Sequence, residues 1–376
     1  MAVNTCDVVV AGLGAMGSAI AFHLTRRNVR VVGLDRFTPP HARGSSHGES
    51  RIIRQAYFEH PAYVPLVLRA YELWRELEGS AAGPLLRITG GVVIGPRDGD
   101  LVRGALRSAR QHNLIHEVLS AAEVRARFPA FDPAGGVVGV YEPRAGVLFP
   151  EACVRAHLAA ARRRGAVLRS NEPLIRWRPS GDGVEVRTPT ATYSAAGLVL
   201  CVGPWLPGLL PSLPLQVERQ VFFVFRPLHS APLFSPERCP VSIWELPSGH
   251  SVYGIPDLGR GVKVGRHHGG EVTTAETVRR RVEPDEVRHM RALLAQYLPA
   301  ANGDLLDAAV CLYTNTPDTH FVLDRHPACP AVWLVSPCSG HGFEFASVIG
   351  EVTADLFTTG ATPYDLSLFR VQRLLR

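Results

Sequence analysis

Two residues stand out for the chemistry their types allow. Cys311 opens the stretch Cys311-Leu312-Tyr313-Thr314-Asn315-Thr316-Pro317-Asp318-Thr319-His320-Phe321, a polar run broken by a proline. It could be packing at the end of the apolar run Ala308-Ala309-Val310, one half of a disulfide, or a nucleophile acting as its thiolate. Lys263 is the single lysine among 40 basic residues, all the others being arginine. In Gly261-Val262-Lys263-Val264-Gly265 the alternation reads as a strand whose lysine faces away from its valines. A surface lysine is the ordinary reading. Retention where arginine has replaced lysine everywhere else favours a task for a compact ammonium that a wide planar guanidinium would not perform.

A third signal is Gly12-Leu13-Gly14-Ala15-Met16-Gly17. Glycines at this spacing permit a tight turn and bring backbone N–H groups close to a pyrophosphate at a helix N-terminus. The elements such a turn needs flank it. Residues 7–11 are short, β-branched and apolar, the pattern of a buried parallel strand, and Ser18 to Arg27 is helical through Ile20, Ala21 and Leu24. Asn28 ends that helix, and a strand over 29–34 finishes at Asp35, 18 residues beyond Gly17, where a carboxylate meets a ribose. The order predicts a dinucleotide site contacted by Gly12, Gly14, Met16, Gly17 and Asp35. It does not separate NAD from FAD, so an NAD-dependent dehydrogenase stays open on these residues alone.

With 376 residues the chain exceeds one simple core, and two domains are expected. Its 46% apolar and 20% charged residues are the balance of a globular, water-soluble protein, and no apolar run approaches the roughly 18 residues of a membrane span. The formal charge of +6 is scattered, and the clusters Arg162-Arg163-Arg164 and Arg279-Arg280-Arg281 read as solvated helix faces. No aromatic-basic interleaving points to nucleic acid. Seven widely spaced cysteines without a CxxC pair indicate neither a disulfide framework nor a zinc site. The N-terminus has no charged segment followed by a signal-peptide core, and a cytoplasmic protein is expected. Pro204 to Pro214 is the best linker candidate.

After Asp35 the chain runs into Gly44-Ser45-Ser46-His47-Gly48-Glu49-Ser50-Arg51-Ile52-Ile53-Arg54, a loop able to wrap a large cofactor. These residues, with Tyr63-Val64-Pro65-Leu66, Glu142-Pro143, Val262-Lys263-Val264-Gly265-Arg266-His267, the Cys311 stretch and Ser339-Gly340-His341-Gly342-Phe343-Glu344-Phe345, resemble the monomeric sarcosine oxidase and N-methyltryptophan oxidase family over nearly the whole length. The resemblance implies FAD, attached covalently through Cys311, whose thiolate would attack the flavin 8α-methyl. It also implies a reaction: oxidation of a secondary amine to an imine, with O2 reduced to H2O2. Lys263 would assist at oxygen by stabilising superoxide-like charge. Ser45, Ser50, Arg51, Gly340 and Gly342 would contact the cofactor. His267 would line the substrate pocket and orient the amine or modulate its proton loss, whereas His268 has no such match. Tyr253 would join the pocket, and Arg54 would grip a substrate carboxylate. The family resemblance favours a monomer.

Glu344 departs from the family pattern, which has a lysine there in members acting on N-methyl amino acids. It would either pair with Arg54 or face a second group on a larger substrate, and weak turnover of sarcosine itself is expected. Trp244 fits an aromatic or cyclic amine near the pocket. A cyclic or alkaloid-like amine without the usual carboxylate recognition is therefore the alternative substrate class. The expected fold is α/β: a Rossmann-like FAD-binding domain assembled from residues 1–85, 147–215 and 318–376. A substrate domain with a mixed or antiparallel sheet is expected over 86–146 and 216–317. The amphipathic segment from Phe345 to Phe357 should be a helix aimed at the flavin.

Overall fold

The computed structural model describes residues 3–228 and 231–375. Three sheets organise them. The first has eight strands, in the order Arg176–Ser180, Gly183–Arg187, Thr192–Leu200, Val3–Ala11, Val31–Leu34 and Val167–Arg169. The pair Val322–His326 and Cys329–Ser336 joins it beside Thr192–Leu200. Val3–Ala11 runs parallel to both its neighbours, and Cys329–Ser336 is parallel to Thr192–Leu200. Being central, Val8, Val9 and Val10 are fully buried, which accounts for their unbroken apolar run. Each such side chain contributes roughly 1.5–3 kcal/mol by leaving water.

Helices Ala15–Arg26, Pro150–Arg163 and Ala346–Thr358 pack together over this sheet, sharing a core that includes Ile20, Leu24, Val154, Leu158, Val348 and Val352. The first begins three residues before the expected start. It stops where Asn28 takes a positive φ of 59°, a conformation asparagine tolerates. The expected helix at 345–357 is present as a 3-10 turn, Phe343–Phe345, leading into Ala346–Thr358.

The second sheet has nine strands. Its order is Glu271–Thr273, Gln216–Phe225, Val262–His267, Ser251–Ile255, Val241–Glu245, Gly91–Pro96, Val137–Glu142 and Glu117–Ser120, with Leu305–Asn315 also paired to Gln216–Phe225. All its pairings are antiparallel except Val241–Glu245 with Gly91–Pro96. One face is closed by Phe128, Phe131 and helix Pro284–Tyr297 through Met290 and Leu294. A small third sheet, Arg51–Ile53, Gly146–Leu148 and Leu86–Ile88, bears the start of the arginine segment.

Two expectations change here. The Pro204–Pro214 segment is no free linker, because Leu206, Leu210 and Leu213 are buried against the first sheet with Leu198 and Leu200. Arg279–Arg281 precedes the helix instead of lying on it. Arg279 is salt-bridged to Glu271, Glu283 and Glu286, and Arg280 donates to the carbonyls of Ala42 and Arg43.

Candidate active site

The glycine turn makes a cradle that side chains would fill. Gly12 has φ +92°, and a Cβ there would lie 2.4 Å from the Cys201 carbonyl oxygen. A Cβ on Gly17 would lie 1.7 Å from the Gly12 oxygen, so the turn closes only with glycine at both positions. Helix Ala15–Arg26 starts at Gly14 without a side-chain cap of the usual N-terminal kind. Ala15 N–H donates to Ser46 Oγ at 3.1 Å, a contact the sequence did not flag. Asp35 accepts from Leu13 N–H and Phe37 N–H, both at 2.8 Å, and holds its carboxylate at the edge of the same space.

That space is a cleft of about 530 Å³, within the range of cofactor sites. Gly12, Gly14, Met16 and Asp35 line one stretch of it; Ser45, Arg51, Cys311, Gly340 and Gly342 line another. The residues fit FAD on structural grounds. The backbone cradle admits a pyrophosphate, an acid borders the ribose position, and the buried Ser45 Oγ has no partner among the described residues.

A second, smaller cavity of about 100 Å³ is lined by Ser50, Arg54, Ile243, Tyr253, Lys263 and His267. Arg51, Cys311, Tyr313, Gly340 and Glu344 border both spaces, so the long cleft and the small cavity meet at Cys311. Tyr313 was not singled out from sequence. The signal existed, since two residues after Cys311 on one strand places both side chains on the same face.

Cys311 is inside strand Leu305–Asn315, opposite Gln220, and is 7% exposed. Its sulfur lies 3.7 Å from Arg51 Nη2 and 3.7 Å from the Ser45 oxygen. Arg51 is fixed by donating to three carbonyls: Ser50 at 2.8 Å, Ser45 at 2.9 Å and His47 at 2.5 Å. Glu151, from helix Pro150–Arg163, accepts from Gly48 N–H at 2.7 Å and from Glu49 N–H, which pins the loop in turn. All seven cysteines are unbridged.

Lys263 Nζ is buried above the Phe222 ring, 4.4 Å from its centroid. It donates to Gly48 O at 2.7 Å, Ser50 O at 2.9 Å and Ser50 Oγ at 3.3 Å. Burial, and then neighbouring Arg51, push its pKa well below the ordinary lysine range. Three acceptors around one nitrogen work the other way by favouring the ammonium form. His267 Nδ1 is 3.3 Å from the Tyr313 hydroxyl, and burial holds the imidazole neutral. His268 turns away at φ +65°, with Nδ1 3.3 Å from Glu218. Burial keeps the phenols of Tyr253 and Tyr313 protonated. Gly340, at φ +82°, passes so close to His267 and Tyr313 that a Cβ would approach each to 2.6 Å.

Arg54 and Glu344 both reach the small cavity but are not paired with each other. Arg54 Nη2 donates to both oxygens of Glu59, at 2.6 and 2.7 Å, and its guanidinium sits 3.9 Å from the Tyr57 ring centroid and 4.1 Å from that of Phe58. Glu344 instead accepts from the Tyr57 hydroxyl, and its backbone oxygen accepts from Trp74 Nε1 at 2.8 Å. Burial pushes the Glu344 carboxyl up to about 7, against the opposing pull of Tyr57 and Arg54. Tyr57 ends the 44–57 stretch that carries the family resemblance, but neither it nor Glu59 was given a site role, because only the path of the loop brings them there.

Trp244 is a correction. Strand Val241–Glu245 turns Ile243 to the cavity and Trp244 to the opposite face. There Trp244 is 2% exposed, packs edge-on to Phe131 at 5.6 Å and donates from Nε1 to Ser242 Oγ at 3.2 Å. It belongs to the core, and the side-chain alternation of a strand is the reason.

The family model described as FAD dependent oxidoreductase matches residues 7–356. A monomeric sarcosine oxidase from Streptomyces avermitilis is 49% identical, over 98% of both chains. An N-methyl-L-tryptophan oxidase from Salmonella newport is 35% identical, again over 98% of both. Among solved structures, NikD, an unusual amino acid oxidase essential for nikkomycin biosynthesis, superposes with a TM-score of 0.84 at 24% identity, over 98% of this chain and 97% of that one. L-proline dehydrogenase from P. horikoshii superposes at 0.84 with 19% identity, covering 99% and 98%. These last two likenesses concern the fold. No helix among the described residues is long and apolar enough to cross a membrane.

Proposed function

This chain belongs to the FAD dependent oxidoreductase family, in the company of monomeric sarcosine oxidases, and on that footing we propose that it oxidises a secondary amine to an imine with O2 as the electron acceptor and H2O2 as the product. The substrate is of the N-methyl amino acid or cyclic imino acid type. The observation that carries the reading is the junction at Cys311, where a cofactor-sized cleft opens onto a cavity of small-molecule size between cationic and neutral hydrogen-bonding groups. FAD, when bound, supplies the two-electron chemistry.

The chain's own residues hold and tune it. Gly12 and Gly14, with the N-terminus of helix Ala15–Arg26, would hold the pyrophosphate, Gly17 closing the turn behind them, and Asp35 would hold the ribose. Met16, Ser45, Ser50, Arg51, Gly340 and Gly342 surround the rest of the cofactor. Cys311, where the cleft and the cavity meet, would hold the cofactor covalently through its sulfur. Arg51, with Nη2 3.7 Å from that sulfur, would set a fixed positive charge beside the point of attachment. Lys263, held in place by Gly48 and Ser50, would act as a fixed positive charge near negative charge developing on oxygen. His267 and Tyr253 orient the amine, and Arg54 meets a substrate carboxylate when Glu59 releases it. Residues 1–85, 147–215 and 318–376 act as the cofactor-binding domain, with 86–146 and 216–317 as the substrate domain. A cytoplasmic monomer completes the proposal, supported by the unbridged cysteines and the likeness to enzymes described as monomeric.

A second reading, a cyclic or alkaloid-like amine without a carboxylate, is favoured by the Arg54–Glu59 pair, which occupies the cation that would recognise one. Purified protein should be yellow, with the colour retained on the chain after acid precipitation, and should release peroxide with members of an amine panel containing sarcosine, N-methylalanine, L-proline and cyclic amines without a carboxylate. Colourless protein, or no peroxide from any amine, would overturn the proposal. Peroxide from the carboxylate-free amines alone would select the second reading.

A further inference from the structure

We propose that Glu344 is the proton acceptor that converts the bound substrate ammonium to the neutral amine before oxidation. This rests on the amine-oxidase reading above. An alkylamine is protonated at neutral pH, with a pKa of roughly 10 by analogy with lysine. While its nitrogen lone pair is tied up in an N–H bond, it cannot support loss of hydride from the adjacent carbon. A proton has to leave inside a cavity of only about 100 Å³.

The groups facing that cavity narrow the choice of acceptor. Tyr253 and Tyr313 carry buried, protonated phenols. Arg51 and Arg54 are permanent cations. The Lys263 nitrogen is committed to Gly48 and Ser50. Glu59, tied by both oxygens to Arg54, does not line the cavity. His267, His341 and Glu344 remain; among the described residues Glu344 is the one of these three that borders both the amine cavity and the cofactor cleft, and it is the only carboxylate of the three.

Its surroundings suit a base working near neutrality. Burial raises the carboxyl to about 7, where a general acid or base is most effective. Arg54, Tyr57 and Glu59 face it from the segment before helix Tyr63–Glu78, Tyr71 from that helix, and His341 from its own loop. In the transfer one N–H bond breaks and one O–H bond forms on Glu344. The carboxyl returns the proton to solvent between turnovers.

The test uses the flavin-loaded enzyme and Glu344→Gln, which keeps the shape and a hydrogen-bonding oxygen for Tyr57. With L-proline or sarcosine, whichever the panel shows to be oxidised, kcat/KM of the native enzyme should fall on acidification through about pH 7. Glu344→Gln should lose that limb and fall about 10²-fold at pH 8. Tyr57→Phe, which removes a hydrogen bond to the carboxylate, should move the limb to higher pH. Independently of turnover, infrared difference spectra on adding dimethylammonium above pH 7 should show a protonated carboxyl appearing in the native protein and absent from Glu344→Gln. An unchanged limb in Glu344→Gln, a limb removed instead by His267→Asn or His341→Asn, or no carboxyl signal would overturn the assignment in an enzyme that still oxidises amines. Failure of the function reading is a separate result, namely no flavin or no peroxide from any amine.

Discussion

Arg51 Nη2 lies 3.7 Å from Cys311 Sγ, although 260 positions separate the two residues. Strand Arg51–Ile53 of the small sheet and strand Leu305–Asn315 of the large one converge there, and three backbone carbonyls hold the guanidinium against the sulfur. If the flavin is attached at Cys311 as proposed, this contact would place a fixed positive charge beside the attaching sulfur.

Cys311→Ser should therefore bind FAD that acid precipitation releases completely. Arg51→Met should slow attachment while leaving Cys311 present, so that freshly loaded apoprotein shows a larger acid-extractable fraction than native protein at the same time. Flavin that stays on the Cys311→Ser chain after acid would place the anchor elsewhere.

Lys263→Met should separate the two halves of the catalytic cycle. Removing one preorganised electrostatic donor costs about 10²–10³-fold in rate, and the loss should fall on reoxidation by O2. Anaerobic reduction by amine, followed by flavin absorbance, should change far less. An equal loss in both half-reactions would give Lys263 a general structural part, as its bonds to Gly48 and Ser50 would allow.

Glu59→Gln should change which amines are preferred. The Arg54–Glu59 pair is nearly buried, with side-chain exposures of 5% and 10%. Neutralising Glu59 frees Arg54 for a substrate carboxylate, and a charge-assisted hydrogen bond of about 1.5–3 kcal/mol corresponds to roughly 10–100-fold. KM for carboxylate-bearing amines should fall by that order relative to amines without one. Stability should drop as well, because one partner of a buried pair is left alone. A KM ratio that stays constant across the panel would argue that Arg54 does not read the substrate.

Glu344 also links stability to pH. Its folded pKa is raised, from 4.5 to about 7, so the folded state holds a proton that the unfolded chain has released. Stability from this group is then complete below about pH 4.5, declines as pH rises through the interval, and is lost above 7. The change is about 3 kcal/mol at most. Apoprotein carrying Glu344→Gln should melt at a higher temperature than native apoprotein at pH 8, with the gap shrinking toward pH 5. A gap independent of pH would contradict the raised carboxyl.

The local features were legible without coordinates because short-range physics sets them. Glycine spacing, β-branched runs and helical periodicity locate the strand, turn and helix of residues 3–26, and Cys311 and Lys263 stand out by context and by rarity. What tertiary structure alone decided was pairing and facing. Periodicity did not state which side of Val241–Glu245 meets the cavity, so Ile243 rather than Trp244 lines it. Composition showed that Glu344 and Arg54 are opposite charges. It could not show that the loop after Ile53 hands Arg54 to Glu59, or that Glu344 meets Tyr57 across 287 positions of chain. Such contacts depend on how whole sheets and helices dock, and a buried charge takes the partner that packing brings to it.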